Sequence, residues 1–226
     1  HHLSGQAVRR AEEKGVPLLQ GFGMTETSPS VMSLDHADAT SRIGSVGRPL
    51  QHLEARIVDE DGRDCADDEA GELWVRGPVV TPGYWRNPEA SASAFRDGWF
   101  RTGDIARRNV EGYHYIVDRR TDMFISGGEN VYPAEVENVL HQIEAVREAA
   151  VIGVPDARWG ESGRAIVVVK PDHALQADTV LEHCRTRLAK YKLPRDIVFA
   201  EALPRNATGK VLKAELRARY SGALPC

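Results

Sequence analysis

The chain has 226 residues, of which 42% are hydrophobic and 27% charged, a composition typical of globular protein with one large core or two smaller ones. Its net charge of -4 at pH 7 lacks the basic excess of nucleic-acid-binding proteins. Its apolar runs, such as residues 149–154 and 165–169, are too short to cross a bilayer, and the first residues lack the apolar centre of a signal peptide. We therefore expect a cytoplasmic protein without a transmembrane segment.

The three cysteines are widely spaced and include no C-x-x-C pair: Cys65, Cys184 and Cys226. This pattern favours two packed thiols and one tail residue over a disulfide framework or a zinc site. His1 and His2 are typical of an expression-tag remnant, so we exclude them from the chemistry.

The first half of the chain is predicted to be rich in strands. A helix over residues 4–14 should end at Gly15. Short apolar or β-branched segments bounded by Gly, Pro or Asp then predict strands at residues 16–19, 55–58, 73–76 and 113–117. The charged run at residues 118–122 has few apolar anchors, which predicts a domain boundary there.

From Pro133 onward the pattern predicts a compact α+β unit. Its expected elements are a helix to about His141, strands at 149–154 and 165–170, a helix at 178–189, a strand at 197–200 and a helix after Leu212. One face of the long helix carries four apolar residues that we expect in the core: Val180, Leu181, Cys184 and Leu188.

Residues 21–26 carry the first chemical signal. Gly21 and Gly23 flank Phe22 and would let the backbone approach a ligand, while the Thr25 hydroxyl and the Glu26 carboxylate suit phosphate and Mg²⁺. Glu26 stands where the dinucleotide fingerprint needs a third glycine, which excludes that motif. A glycine turn with a surface Glu is the alternative.

Two later segments are ambiguous when taken alone. Asp104 follows what looks like a tight turn, where it could accept hydrogen bonds from both hydroxyls of a ribose or act only as a turn residue. Gly209 and Lys210 suggest a phosphate loop, but Val211 stands where Ser or Thr is required. A phosphate loop of that type is therefore excluded.

In this order, these segments resemble the adenylate-forming (AMP-binding) superfamily of acyl-CoA synthetases, luciferases and peptide-synthetase adenylation domains. The resemblance covers nearly the whole chain and rests on residues 21–26, 71–77, 83–85, 101–104, 118–119, 126–137 and 204–210. Residues 127–133 and 191–194 are similar to those of bacterial fatty-acid and aryl-acid CoA ligases. The resemblance implies a ligase that uses ATP, Mg²⁺ and coenzyme A on a small carboxylic acid, with fatty acids leading and aryl acids as the alternative.

The resemblance also implies the fold, which combines α/β and α+β parts. Residues 1–120 would be the carboxy-terminal, strand-rich part of the large domain, and residues 121–226 the small mobile domain with the catalytic lysine. Nothing before Gly21 resembles the family's Ser/Thr/Gly-rich phosphate loop. We therefore expect a truncated chain, inactive alone, whose upstream portion belongs to a longer enzyme or a separate chain. A binding module without catalysis is the alternative from another functional class.

The resemblance assigns roles around ATP. Phe22 would lie against the adenine, Thr25 would contact the α-phosphate and Glu26 would hold Mg²⁺. Asp104 would accept hydrogen bonds from the ribose hydroxyls, and Arg119 would reach the same region. Lys210 would bridge both reactants during adenylation, which makes Lys210, Thr25 and Glu26 the expected catalytic residues. The implied nucleotide-binding set is Gly21, Phe22, Gly23, Met24, Thr25, Asp104, Arg119 and Lys210.

Thioester formation implies a second set of residues. Gly127 and Gly128 would line the pantetheine path, and the coenzyme A nucleotide would meet Trp159, Lys192 and Arg195. The alternatives are that Trp159 is a packing residue and that Lys192 and Arg195 lie on a solvated face. Thr121 stands at the hinge of the small domain where Asp or Lys is usual. Its β-branched side chain resists a torsion change, so domain exchange should be slower.

Overall fold

The computed structural model describes residues 5–207 and 209–222. The chain divides into two compact units, His1–Arg120 and Thr121–Cys226, called unit 1 and unit 2 below. Within the described ranges, no helix has both the length and the apolar character needed to cross a membrane. Several residues considered above lie outside the described ranges: His1, His2, Ser4, Thr208 and Cys226.

The described part of unit 1 forms two antiparallel sheets. The small sheet consists of β1 (Gly21–Phe22), β2 (Met32–Ser33) and β3 (Arg48–Pro49). The large sheet consists of β4 (Glu54–Val58), β5 (Gly71–Arg76), β6 (Phe95–Arg96), β7 (Trp99–Arg108) and β8 (His114–Arg119). Strand β5 lies between β4 and β7, and β7 also pairs with β6 and β8. The helices are α1 (Gly5–Glu12) and α2 (Pro88–Ala94), with 3-10 helices at Thr25–Thr27 and His36–Asp38.

One apolar cluster joins the two sheets of unit 1. It includes Met32 from the small sheet and Leu73, Val75 and Phe100 from the large one, all buried. Burial of each such side chain contributes roughly 1.5–3 kcal/mol, so the cluster fixes the small sheet on the large one. Residues 22 and 24 pack against this cluster while partly exposed.

Unit 2 is built on one sheet with helices on both faces. Its strands are β9 (Phe124–Ser126), β10 (Glu129–Val131), β11 (Val146–Asp156), β12 (Gly160–Val169) and β13 (Asp196–Phe199). The order is β10-β9-β12-β11, and β13 runs parallel to β12. The helices are α3 (Pro133–Leu140), α4 (Ala177–Arg185) and α5 (Lys213–Tyr220), with a 3-10 helix at Lys190–Lys192.

Alternate residues of β11 enter different cores. Val151 joins a cluster with α3 and α4, whereas its neighbours Ala150 and Ile152 join a cluster that includes Leu216 of α5. A strand covered on both faces needs apolar residues at every position. This explains why residues 149–154 form an uninterrupted apolar run.

The fold class expected from the sequence is confirmed, but some elements differ. The predicted strand at residues 16–19 is wrong, because this segment has no regular structure and Val16 and Leu19 are 53% and 47% exposed. The turn expected before Asp104 is also wrong, since this residue lies inside the long strand β7.

The helix α4 ends earlier than predicted, at Arg185. The reason is local: the Cys184 carbonyl accepts hydrogen bonds from the backbone N–H groups of residues 187 and 188. The Thr186 hydroxyl also donates to the His183 carbonyl at 3.1 Å. These hydrogen bonds occupy the carbonyl groups of the last turn outside the α-helical pattern, and they end the helix.

Candidate functional site

In unit 1, residues 21–27 form a short loop pinned by a buried threonine. The Thr27 hydroxyl accepts a hydrogen bond from Met24 N at 3.0 Å and lies 3.2 Å from Pro29 O. The 3-10 helix at Thr25–Thr27 follows directly, leaving Thr25 exposed and Glu26 partly exposed. The loop therefore presents the expected hydroxyl and carboxylate from a fixed backbone.

The two glycines of this loop are explained by the chain itself. A Cβ on Gly23 would lie 1.6 Å from Pro29 O, and one on Gly21 would lie 2.9 Å from Met32 O. Both values are too short for a side chain, so the backbone needs glycine here to pass its own neighbouring segment. This reason differs from the close ligand approach that the sequence suggests.

Glu26 is held by the segment that follows β5. Its backbone carbonyl accepts from Thr81 N at 2.8 Å, and its Oε1 accepts from the Tyr84 hydroxyl at 3.0 Å. Burial raises the pKa of Tyr84, and the hydrogen bond to the Glu26 carboxylate raises it further. Residues 83–85 contribute to the family resemblance, but the sequence indicates no role for Tyr84, because Glu26 lies 58 positions earlier in the chain.

Asp104 and Arg119 are cross-strand neighbours on β7 and β8. Arg119 Nε lies 3.6 Å from Asp104 Oδ1, and the Asp104 side chain is 10% exposed against 55% for Arg119. Gly103, the residue before Asp104, has a φ of 72°, a backbone conformation that favours glycine. The Thr102 hydroxyl steadies the kink by donating to Leu73 O at 2.7 Å and accepting from Asp104 N at 3.1 Å. The structure thus brings together the two residues expected to share the ribose region.

The end of unit 1 is anchored to its own sheet. Arg120 N donates to Gly103 O at 2.9 Å, and its guanidinium lies 3.9 Å from Glu72 Oε2. The same carboxylate oxygen accepts from Arg101 at 3.0 Å. A nearly buried carboxylate between two arginines keeps its charge compensated, so this end of the strand β8 is fixed.

The start of unit 2 is anchored separately. Arg217 Nη2 donates to Thr121 O at 3.0 Å and to Asp122 Oδ1 at 2.9 Å. Thr121, the expected hinge residue, therefore has its carbonyl tied to α5. This restricts the torsions of Thr121 in addition to its β-branched side chain.

Unit 2 also contains an open cleft of about 290 Å³. Its charged and aromatic lining consists of Arg158, Trp159, Arg185, Lys190, Tyr191 and Arg195. Arginine and lysine bind phosphate, and aromatic rings stack on bases, so this lining suits an anionic nucleotide. Leu181, expected in the core, lines the cleft, whereas its neighbours Val180 and Cys184 are buried as predicted.

One carboxylate organises this cleft. Asp156 accepts from Arg158 N at 2.8 Å and from Trp159 N at 3.0 Å, and Arg195 Nη1 lies 3.3 Å from it. The Arg158 N–H, with smaller contributions from the Trp159 N–H and Arg195, holds the pKa of Asp156 below its usual range despite partial burial. The carboxylate therefore fixes both ends of the cleft and stays ionised at neutral pH.

Gly127 lies directly against the Trp159 ring. Its φ is 62°, and a Cβ at this position would lie 2.4 Å from Trp159 Cε3. Its N–H donates to Trp159 O at 2.9 Å. Gly128 also has a positive φ, of 88°, but open space where a Cβ would be. Trp159 thus packs on Gly127 with one part and lines the cleft with another.

Lys192 lies apart from the cleft lining. Its Nζ is 2.8 Å from both carboxylate oxygens of Glu135 on α3. Partial burial works to lower the pKa of Lys192, but the hydrogen bond and charge of Glu135 outweigh burial, and the pKa is raised. The structure therefore gives Lys192 a structural ion pair.

Lys210 lies on a turn that is fixed by a neighbouring asparagine. Lys210 N donates to Asn206 Oδ1 at 2.8 Å, and Asn206 N donates to Lys210 O at 2.9 Å. Arg205 pairs with Glu148 at the base of the turn. The Lys210 side chain is exposed, so the turn presents an ammonium group from a defined backbone.

Both units match known families. The family model for AMP-binding enzyme matches residues 1–85, and the model for the AMP-binding enzyme C-terminal domain matches residues 135–210. Similar curated proteins include feruloyl-CoA synthase from Amycolatopsis, 47% identical over 92% of the chain, and a long-chain-fatty-acid–CoA ligase from Mycobacterium tuberculosis, 45% identical over 94%.

Solved structures with a similar fold include o-succinylbenzoate CoA synthetase from Bacillus subtilis. Its complex with the acyl-adenylate intermediate has a TM-score of 0.88 at 40% identity and matches 94% of this chain and 43% of that one. Its complex with ATP and a magnesium ion has a TM-score of 0.87. The chain spans 42% of the length of each of the two curated relatives.

Proposed function

Since the chain belongs to the AMP-binding enzyme family, we propose that the protein is an ATP-dependent ligase that joins a carboxylic acid to coenzyme A and forms AMP. The observation that carries this proposal is the arrangement around β5 in unit 1. The segment after β5 holds the Glu26 carboxylate through Tyr84, and the Leu73 carbonyl of β5 steadies the kink before Asp104 and its partner Arg119. These are the groups that a nucleoside triphosphate with its cation requires.

The first half-reaction would be adenylation. A carboxylate oxygen of the acid attacks the α-phosphorus of ATP, and the bond from that phosphorus to pyrophosphate breaks. Lys210 is proposed to bridge both reactants, since an ammonium group offsets the charge that gathers on the non-bridging oxygens. Thr25 is proposed to contact the same phosphate.

The nucleotide would be held by residues of unit 1. In this proposal, Asp104 accepts hydrogen bonds from the ribose hydroxyls, and Arg119 reaches the ribose and the phosphates. Phe22 lies against the adenine, with the backbone of residues 21–24 beside it. Glu26 fits Mg²⁺, because this cation prefers carboxylate oxygen and is usually shared with substrate phosphates. Mg²⁺ at Glu26 would supply charge neutralisation at the phosphates.

The second half-reaction would form the thioester. The sulfur of coenzyme A attacks the acyl carbonyl carbon, the bond to AMP breaks, and the thiol proton leaves to solvent. The cleft of unit 2 supports this step, because Trp159 and Arg195 line it together with further cations. Gly127 and Gly128 are proposed to line the pantetheine path, and Lys192, whose charge is already paired with Glu135, to contribute less than Arg195.

Two substrate classes are proposed, fatty acids and aryl acids. Feruloyl-CoA synthase and the mycobacterial long-chain-fatty-acid–CoA ligase are similar to this chain at 47% and 45% identity, so identity does not separate them. ATP and coenzyme A are cytoplasmic metabolites, and we propose that location. We also propose that the 226 residues alone are inactive. Within them, Glu26 and its cation would be the main groups that bind the β- and γ-phosphates of ATP, and a poorly positioned triphosphate reacts slowly.

An acid-dependent exchange of pyrophosphate into ATP tests the proposal in the protein at its full length. The panel would contain fatty acids of graded length and aryl acids such as ferulate, each with ATP and Mg²⁺. Exchange with one acid class would support the proposal and assign the substrate. ATP binding in calorimetry without exchange for any acid would favour the non-catalytic binding module instead.

A further inference from the structure

The backbone of Tyr84 is fixed by contacts that do not involve Glu26. Its backbone N–H donates to Ser91 Oγ on α2 at 2.9 Å. Gly83 has a φ of 153°, and a Cβ there would lie 3.0 Å from the same Ser91 oxygen. The Thr81 hydroxyl donates to Gly83 O at 2.9 Å. The segment 81–84 is therefore a rigid support whose end carries the phenol.

This support holds Glu26 at two points. Thr81 N donates to the Glu26 carbonyl at 2.8 Å, and the Tyr84 hydroxyl donates to Glu26 Oε1 at 3.0 Å. A Glu side chain on a short, partly exposed 3-10 helix has several accessible rotamers, and a hydrogen bond to one oxygen selects among them. The second oxygen, Oε2, is then the one to offer to a ligand.

We propose that Tyr84 is a positioning residue that orients the Glu26 carboxylate for the divalent cation bound with the nucleotide. The inference rests on the proposed function. Groups that hydrogen-bond to a metal-binding carboxylate fix its direction, and losing one typically weakens metal affinity by about 10- to 100-fold. A tyrosine hydroxyl is protonated at neutral pH, so it can donate this hydrogen bond to the carboxylate.

The exposure of Tyr84 argues against a role in packing alone. Tyr84 is 37% exposed, whereas Tyr113 in the same unit is 6% exposed. Tyr113 also donates to a carboxylate, Asp38 Oδ2, at 2.6 Å, outside the proposed nucleotide site. Tyr113→Phe is therefore a matched control, since it removes a tyrosine-to-carboxylate hydrogen bond without touching Glu26.

The test is calorimetry of ATP binding to the full-length protein without any acid, over a series of Mg²⁺ concentrations and in EDTA. In Tyr84→Phe, the Mg²⁺ concentration needed for half of the gain in ATP affinity should rise roughly tenfold. ATP affinity in EDTA should stay at the wild-type value. Tyr113→Phe should behave as wild type in both conditions.

A second variant tests whether Tyr84 acts through Glu26. Glu26→Gln should remove most of the Mg²⁺ dependence, and adding Tyr84→Phe to it should have no further effect. An unchanged Mg²⁺ dependence in Tyr84→Phe, with wild-type ATP binding intact, would overturn this inference alone. A wild-type protein that binds no ATP would overturn the proposed function as well.

Discussion

Among the charged residues proposed to touch the nucleotide, Asp104 is the most buried. Its 10% side-chain exposure and its contact with Arg119 at 3.6 Å leave it in a region where water competes weakly for its oxygens. A hydrogen bond from a ribose hydroxyl to such a carboxylate contributes about 1.5–3 kcal/mol. Asp104 should therefore matter more for ATP affinity than its exposed neighbours.

Asp104→Asn should raise the KM for ATP by about tenfold or more, because the amide keeps the size but loses the charge. The rate at saturating ATP should change less. Asp68→Asn is the control, since Asp68 is an exposed turn residue that pairs with Arg107 of β7 at 2.6 Å. An equal KM for ATP in wild type and Asp104→Asn, with both folded, would contradict the ribose role.

Lys210→Ala should slow adenylation by on the order of 100-fold or more, the scale for removing a preorganised transition-state donor. Thioester formation from a supplied acyl adenylate should be spared, because the lysine is proposed to act only on the first half-reaction. Single-turnover assays of each half-reaction measure both effects, with the exposed Lys170→Ala as control. Equal losses in both halves would assign Lys210 a structural role.

At the level of elements, the sequence predicts best where one face or both faces of an element are uniformly apolar. Helix α3 and the core of β11 follow from such patterns. Strand β7 was not predicted, because Gly103 and Asp104 interrupt its apolar residues and resemble a turn. The opposite error occurs at residues 16–19, where apolar residues predict a strand but Val16 and Leu19 are exposed and no strand forms. Apolar pattern alone does not reveal whether a partner strand exists.

The turn between β9 and β10 allows a paired prediction. Gly127→Ala should destabilise the protein more than Gly128→Ala, although both residues have positive φ. Both variants bear the cost of a left-handed alanine, about 1–2 kcal/mol, but only Gly127→Ala adds a clash with Trp159. Urea unfolding measures the difference. Equal unfolding free energies would show that the Trp159 ring moves away at no cost.

At the scale of the whole molecule, the division of the chain lies in a charged segment. The charged run 118–122 suggested a division there, and the two compact units meet between Arg120 and Thr121. Contacts within a site were harder to predict. Asp104 and Arg119 could be assigned to one region by resemblance, but the pairing of Tyr84 with Glu26 depends on how the segment after β5 folds back. No local pattern encodes such a contact.

Residues 121–226 should fold without unit 1. Both of the clusters that cover the faces of its sheet draw all their residues from this range, so its core is complete in itself. A unit of this size buries enough surface for cooperative folding. The expressed segment should give a single urea transition that coincides by circular dichroism and tryptophan fluorescence. A broad transition without a folded baseline would show that it needs unit 1.

In the proposed reaction, the acid is activated as an adenylate before it reacts with coenzyme A. The most direct measurement uses an acid accepted by the full-length enzyme, labelled with ¹⁸O in both carboxylate oxygens, and mass spectrometry of the nucleotide product. Attack of the carboxylate on the α-phosphorus leaves one labelled oxygen on AMP, and the other stays in the thioester carbonyl. We predict AMP carrying one ¹⁸O. Unlabelled AMP, or ADP with the label in inorganic phosphate, would contradict the account.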